Sequence, residues 1–117
     1  MSTIKCTTLQ NLSGVEVYTA KAWVNFNGTG TVAIRAAGNV SSITDNGVGD
    51  YTVNFTNAMS DANYSVVTSN QFTGPQAANP MMNITSLLAN SARLSCQVKV
   101  NSIYVADPEI VTVAAFR

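Results

Sequence analysis

The side chains that could carry acid–base chemistry are six carboxylates, and the chain has no histidine. Histidine is the commonest general base and metal ligand, and a glycosidase needs two carboxylates facing each other across a cleft. The aspartates stand at or beside predicted turns, at Asp45, Asp50, Asp61 and Asp107. Turn chemistry accounts for aspartate at such positions. We therefore expect no enzymatic activity, no bound metal and no cofactor.

Two cysteines, Cys6 and Cys96, are the remaining reactive side chains. Their spacing fits no zinc motif, and a disulfide between them is arithmetically possible. Residues 1–5 lack the apolar segment of a signal peptide, so we expect synthesis in a cytoplasm, where thiols stay reduced. Cys96 falls in a row of alternate apolar residues, which favours a small buried side chain.

The irregular segment 69–80 holds the candidate binding residues. Two prolines and a glycine exclude a central strand there, and segments of this length usually carry function or are disordered. An exposed aromatic, Phe72, flanked by amides could stack on a sugar ring. It could equally anchor its own loop or pack across a subunit interface. The predicted binding residues are Asn70, Gln71, Phe72, Thr73 and Gln76.

Alternation with a period of two runs through residues 21–67 and predicts β-strands. Val24 and Phe26 fall on one side of the first strand, and Trp23 and Asn25 fall on the other. Residues 27–30, Asn-Gly-Thr-Gly, tolerate the positive φ angles of a tight reversal. Aromatic residues inside strands usually pack in a core, which we expect for most of the set Trp23, Tyr51, Phe55 and Tyr64.

About eight short strands separated by turn signals, without an amphipathic helix, predict the fold class. It is all-β, an antiparallel β-sandwich or jelly-roll. The clearest strand has Ala92, Leu94, Cys96, Val98 and Val100 on one side and Arg93, Ser95, Gln97 and Lys99 on the other. Residues 1–20 are expected to be either an arm that pairs with a neighbour or the first strand, and residues 21–117 to be the sandwich domain.

The composition favours assembly over binding to nucleic acid or membrane. Charged residues make up 10 % of the chain, against about 25 % in typical domains. Ser, Thr and Asn number 11, 13 and 13, so they must supply the polar surface. No basic cluster suits nucleic acid, and no apolar run approaches the ~20 residues of a membrane-spanning helix. Charge-poor sheets are poorly protected against self-association, so we expect an oligomer.

Residues 21–35 (KAWVNFNGTGTVAIR), 39–47 (NVSSITDNG), 49–56 (GDYTVNFT) and 61–64 (DANY) resemble a module of phage tail-fibre-like proteins. The resemblance implies a virion protein of a bacteriophage, a trimer that contacts other virion proteins and binds a host surface glycan, often at the distal end of a fibre. Only about 20 residues precede the module, so a tip or baseplate appendage is expected rather than a long shaft. A capsid decoration (cement) protein and a non-viral carbohydrate-binding module are the alternatives.

Overall fold

The structure, a computed structural model, describes residues 8–72, 80–99 and 103–117. Over these ranges the chain forms nine β-strands and no helix. The strands are β1 (Ala22–Asn27), β2 (Ala33–Gly38), β3 (Val40–Gly47), β4 (Asp50–Phe55), β5 (Ser65–Gln71), β6 (Pro80–Leu88), β7 (Ser91–Lys99), β8 (Ile103–Val105) and β9 (Ile110–Phe116).

Two antiparallel sheets form a β-sandwich, which confirms the predicted fold class at that level. The first sheet has the order β2-β1-β9-β5, and the second has the order β3-β4-β7-β6. The three-residue strand β8 also pairs with β7, beyond the residues of β7 that pair with β4. The pairs β1–β2, β3–β4 and β6–β7 are each hairpins within one sheet.

The core lies between the sheets and follows the predicted alternation. Val24 and Phe26 of the first sheet and Tyr51 and Leu94 of the second are at most 1 % exposed. The inward row of β7 is confirmed for Ala92, Leu94, Cys96 and Val98, and Val100 lies outside the described residues. Burying side chains of this size stabilises a domain by about 1.5–3 kcal/mol each.

One tyrosine–phenylalanine pair lies near each end of the sandwich. Phe26 and Tyr51 meet edge to face with ring centroids 5.2 Å apart, and Phe55 and Tyr64 do so at 5.8 Å. The hydroxyl of Tyr64 lies 2.8 Å from the carbonyl of Leu88 and 2.9 Å from that of Ser91. The buried Tyr64 thus brings a polar group that finds backbone partners, as burial requires.

Strand register defines two ends of the molecule. At one end Ala22 pairs with Ala115 and Ser65 pairs with Phe116. At the other end Gln71 pairs with Ile110, and the amide of Gly28 donates to the carbonyl of Pro108 at 3.0 Å. We name the first the arm end, because the N-terminal segment enters β1 there, and the second the loop end.

Residues 8–18 form a small hairpin, named the arm below, that belongs to neither sheet. The amide of Val17 donates to the carbonyl of Leu9 at 2.6 Å, and Gln10 and Glu16 form an isolated bridge. Asn11 Oδ1 accepts the amides of Ser13 and Val15 and closes the turn. Residues 1–7, the beginning of the segment predicted to be an arm or a first strand, lie outside the described residues.

Candidate functional site

The predicted binding residues do not share one irregular loop. Strand β5 extends to Gln71, into the segment 69–80 that the sequence predicted to be irregular, so Asn70 and Gln71 are strand residues. They pair with Val111 and Ile110 of β9. Hydrogen bonds to this distant strand make them strand residues, and their own polar side chains do not predict such a pairing. Thr73 and Gln76 lie outside the described residues.

Phe72 is buried, which favours the alternative that it anchors its own segment over that of an exposed aromatic. Its exposed fraction is 8 %, and it packs in a second apolar cluster with Cys96, Val98 and Ala106. These partners come from β7 and from the chain after β8, more than 20 residues away in sequence. Phe72 therefore anchors the end of β5 to the second sheet and offers no ring face for a sugar.

Asn70 and Gln71 point to opposite sides of the first sheet. Gln71 is exposed on the outer side, and its carbonyl accepts the amide of Glu109 at 3.1 Å. Asn70 is half-buried, and its Oδ1 is enclosed without a hydrogen-bond partner. An unsatisfied buried acceptor costs about 1–3 kcal/mol. Of the predicted binding residues that the structure describes, Gln71 alone therefore presents its side chain to solvent.

A hydrogen-bond network holds the loop end together. The hydroxyl of Tyr51 lies 2.9 Å from the carbonyl of Gly28 and 2.8 Å from Asp107 Oδ1, which also accepts the amide of Gly49 at 2.7 Å. Burial, and secondly the hydrogen bond with the Asp107 carboxylate, raise the pKa of Tyr51 far above its usual value. The network joins three connections of the sandwich, so this end is a rigid platform.

Gly49 is required at its place in this network. Its φ is +64°, and a Cβ there would approach the carbonyl oxygens of Cys96 and Ala106 to 2.7 Å. Backbone atoms cannot move aside as a flexible side chain would, so any other residue would disturb the junction of β4, β7 and β8.

Cys96 is a structural side chain of the second cluster. It is fully buried, and burial raises the pKa of its thiol to about 11. Because the thiolate is the nucleophile and metal ligand, this cysteine is inert in the folded chain. The prediction of a small buried apolar residue at position 96 is confirmed.

Trp23 lies on the outside of the first sheet, contrary to the expectation that it packs in the core. It is 44 % exposed, and its indole covers Gly38 of the neighbouring strand, where a Cβ would come within 2.8 Å of Cδ1. The alternation itself gave the signal, because Trp23 stands opposite to the buried Val24 and Phe26. The general preference of aromatic residues for cores was the weaker guide.

Trp23 belongs to a row of small and apolar residues that runs across all four strands. The row is Gly38, Trp23, Ala114 and Val67, in strand order. Toward the loop end the next row is Ala36, Asn25, Thr112 and Ser69, and toward the arm end Phe116 pairs with Ser65. These outward residues are named the Trp23 face below. Val67 and Phe116 are exposed with Trp23.

A cleft of about 470 Å³ separates the arm from the body at the arm end. Leu9, Val17 and Tyr18 line it from the arm, and Phe116 and Arg117 line it from the body. Phe116 therefore belongs both to the cleft and to the Trp23 face. Arg117 is held by a bidentate ion pair with Asp61, with Nε and Nη2 2.9 and 2.7 Å from the two carboxylate oxygens, and this pair lowers the pKa of Asp61 to about 2.

Within the described ranges no three His, Cys, Asp or Glu side chains lie close enough together to hold a metal ion. The same ranges contain no helix that could span a membrane. No protein-family model, curated protein or solved structure matches this chain.

Proposed function

We propose that this chain is a structural protein of a phage virion, a trimeric tail-fibre or fibre-tip component whose loop end binds a host surface glycan. The observation that carries the proposal is the placement of two surfaces at opposite ends of one sandwich. The exposed apolar arm lies at the arm end, and Gln71 lies at the loop end. A fibre-tip protein needs this polarity, because one end must serve assembly, with other copies of the chain or with the particle, while the other meets the host.

The resemblance of residues 21–67 to tail-fibre-like proteins supports the same function. Those residues form β1 to β4 and the start of β5, which are scaffold strands and their turns. Recognition in such proteins would fall to loops that a rigid scaffold presents. The network around Tyr51 and Asp107 supplies that rigidity at the loop end.

The test of glycan binding uses two positions on the outer side of β5. Gln71 lies at the loop end of the strand and Ser65 at the arm end, and both are exposed. The purified chain is titrated with surface polysaccharide extracted from the host strain of the phage. Gln71→Ala should weaken binding by about tenfold, the worth of one or two amide hydrogen bonds, and Ser65→Ala should leave it unchanged.

Two results would contradict the proposal. If the chain binds no host polysaccharide and electron microscopy places it on the capsid surface, it is a decoration protein, a function that the exposed arm would also serve. Equal weakening by Gln71→Ala and Ser65→Ala would mean that the loop end is not the binding site.

A further inference from the structure

The Trp23 face and the arm together carry most of the large exposed apolar side chains at one end of the molecule. The arm contributes Leu9, Leu12, Val15, Val17 and Tyr18, and the face contributes Trp23, Val67 and Phe116. Leu12 at the tip of the arm is fully exposed. A two-stranded hairpin is at best marginally stable by itself, so its apolar side chains gain most from being covered. Clusters of this kind mark interaction surfaces rather than solvated ones.

We propose that the arm of one copy of this chain packs on the Trp23 face of the next copy. This inference deepens the proposed function, because it names the surfaces that would hold the trimer together. The two surfaces are contiguous at Phe116, where the cleft beneath the arm meets the sheet. Each chain thus presents an apolar arm and an apolar face side by side.

Charge complementarity favours a contact between the arm and the Trp23 face over a contact between two Trp23 faces. The arm carries one carboxylate, Glu16, and the face is flanked by two cations, Lys21 and Arg35. Arg35 lies on the outer side of β2, since its Nη1 donates to Asn25 Oδ1 at 3.2 Å. Two Trp23 faces meeting each other would bring four cations together, whereas an arm on a face brings opposite charges into contact.

The area of the face makes a single contact between an arm and a face a small one. Four strands about 4.8 Å apart, over some seven residues of about 3.4 Å, give a face of roughly 400 Å². A stable interface needs about 800 Å² per partner. One arm on one face therefore covers about half of that area, and a chain that uses both its arm and its face buries about 800 Å² over two contacts. A contact between unlike surfaces generates rings when its rotation closes.

The experiment measures the mass of the full chain in solution by sedimentation velocity at a series of micromolar concentrations. Val67→Lys places a charge in the Trp23 face, and Asn83→Lys places the same charge on the outer side of β6, an edge strand of the second sheet, as the matched control. Leu12→Ser tests the arm separately. Circular dichroism and thermal melting show that each variant is folded.

We expect the unaltered chain and Asn83→Lys to form the same closed oligomer. Val67→Lys should weaken association on the order of 100-fold, because it places a charge in an apolar contact that excludes water, and Leu12→Ser should weaken it about tenfold, by loss of one apolar side chain. An oligomer that neither Val67→Lys nor Leu12→Ser disturbs would overturn this inference and leave the trimer intact. A monomer at all concentrations would overturn both, even if the chain still binds glycan.

Discussion

The outer sides of the two sheets differ in how their side chains are satisfied. The outer side of the second sheet is named the Arg93 face, and its polar side chains form hydrogen bonds with one another. Asn54 Nδ2 donates to Thr44 at 2.9 Å, and Asn46 Nδ2 donates to Thr52 at 2.7 Å. Arg93 Nε and Nη2 lie 2.9 and 2.7 Å from the Asp50 carboxylate. Its exposed apolar side chains, Met81, Leu88 and Val105, lie on the edge strand β6 and the short strand β8.

The Trp23 face has the opposite character at its centre. Its middle row is made of Trp23, Ala114 and Val67, with no polar side chain among them. Both faces belong to four-stranded sheets of the same charge-poor chain, so composition alone does not explain the difference. A face whose polar groups hydrogen-bond with one another is stable in contact with water. A face of apolar side chains gains stability when another surface covers it.

The comparison of the two outer faces depends on which side chains point inward. Phe72→Ala tests that assignment and should have the largest effect on stability. Removing a ring that is packed against Cys96, Val98 and Ala106 should lower the free energy of unfolding by about 3 kcal/mol. Gln71→Ala, next in the chain but outward, should change it by less than about 0.5 kcal/mol. Urea denaturation measures both. Equal effects would mean that the inward and outward sides are assigned wrongly at the end of β5.

Gly38→Ala probes the centre of the Trp23 face. The new Cβ would meet the pyrrole ring of Trp23, so the indole must leave its place, and we expect a loss of about 1–3 kcal/mol. Gly38 has no left-handed backbone conformation, so the space that the indole fills is what excludes a side chain. Thr52→Ala on the Arg93 face is the control and should cost less than about 1 kcal/mol. A neutral Gly38→Ala would show that the indole is not held against the sheet.

The ion pair of the Arg93 face predicts the smallest effect, a weak dependence of stability on pH. Hydrogen bonding to Arg93 lowers the pKa of Asp50 below its usual 3.8. The pair therefore contributes stability above the pKa of the unfolded chain, near 3.8, and loses it as the pH falls through the lower folded value. Both side chains are partly exposed, so water and salt screen the pair.

Asp50→Asn should make the acid side of the stability curve slightly flatter than in the unaltered chain. The measurement is the melting temperature between pH 5 and 2 at low and high salt. Asp61→Asn, which removes the partner of Arg117, is a second variant with the same expected direction. A steeper curve for Asp50→Asn would contradict the prediction.

Strand identity and orientation could be predicted from the sequence where alternation is strict. Strands β1, β4 and β7 each place their apolar residues inward as the pattern indicates. Trp23 shows that the pattern is more reliable than residue type, because its position in the alternation placed it outside and its aromatic ring suggested the core.

The loop end could not be predicted, because distant segments build it. Asn70 and Gln71 become strand residues only because β9 pairs with them 40 residues later in the chain. Phe72 is buried by residues of β7 and by Ala106, and no local pattern of hydrophobicity reports such partners. The bond between Tyr51 and Asp107 likewise joins positions that are 56 residues apart.

Trp23 is the single tryptophan of the chain, and it stands on the surface proposed to be covered by another copy. An exposed indole relaxes against water after excitation and emits at longer wavelengths than an enclosed one. The chain therefore carries its own optical reporter of assembly, with no label attached and no competing indole from the core. Recording the emission spectrum while the protein is diluted would follow the dissociation of a neighbouring copy at Trp23 itself.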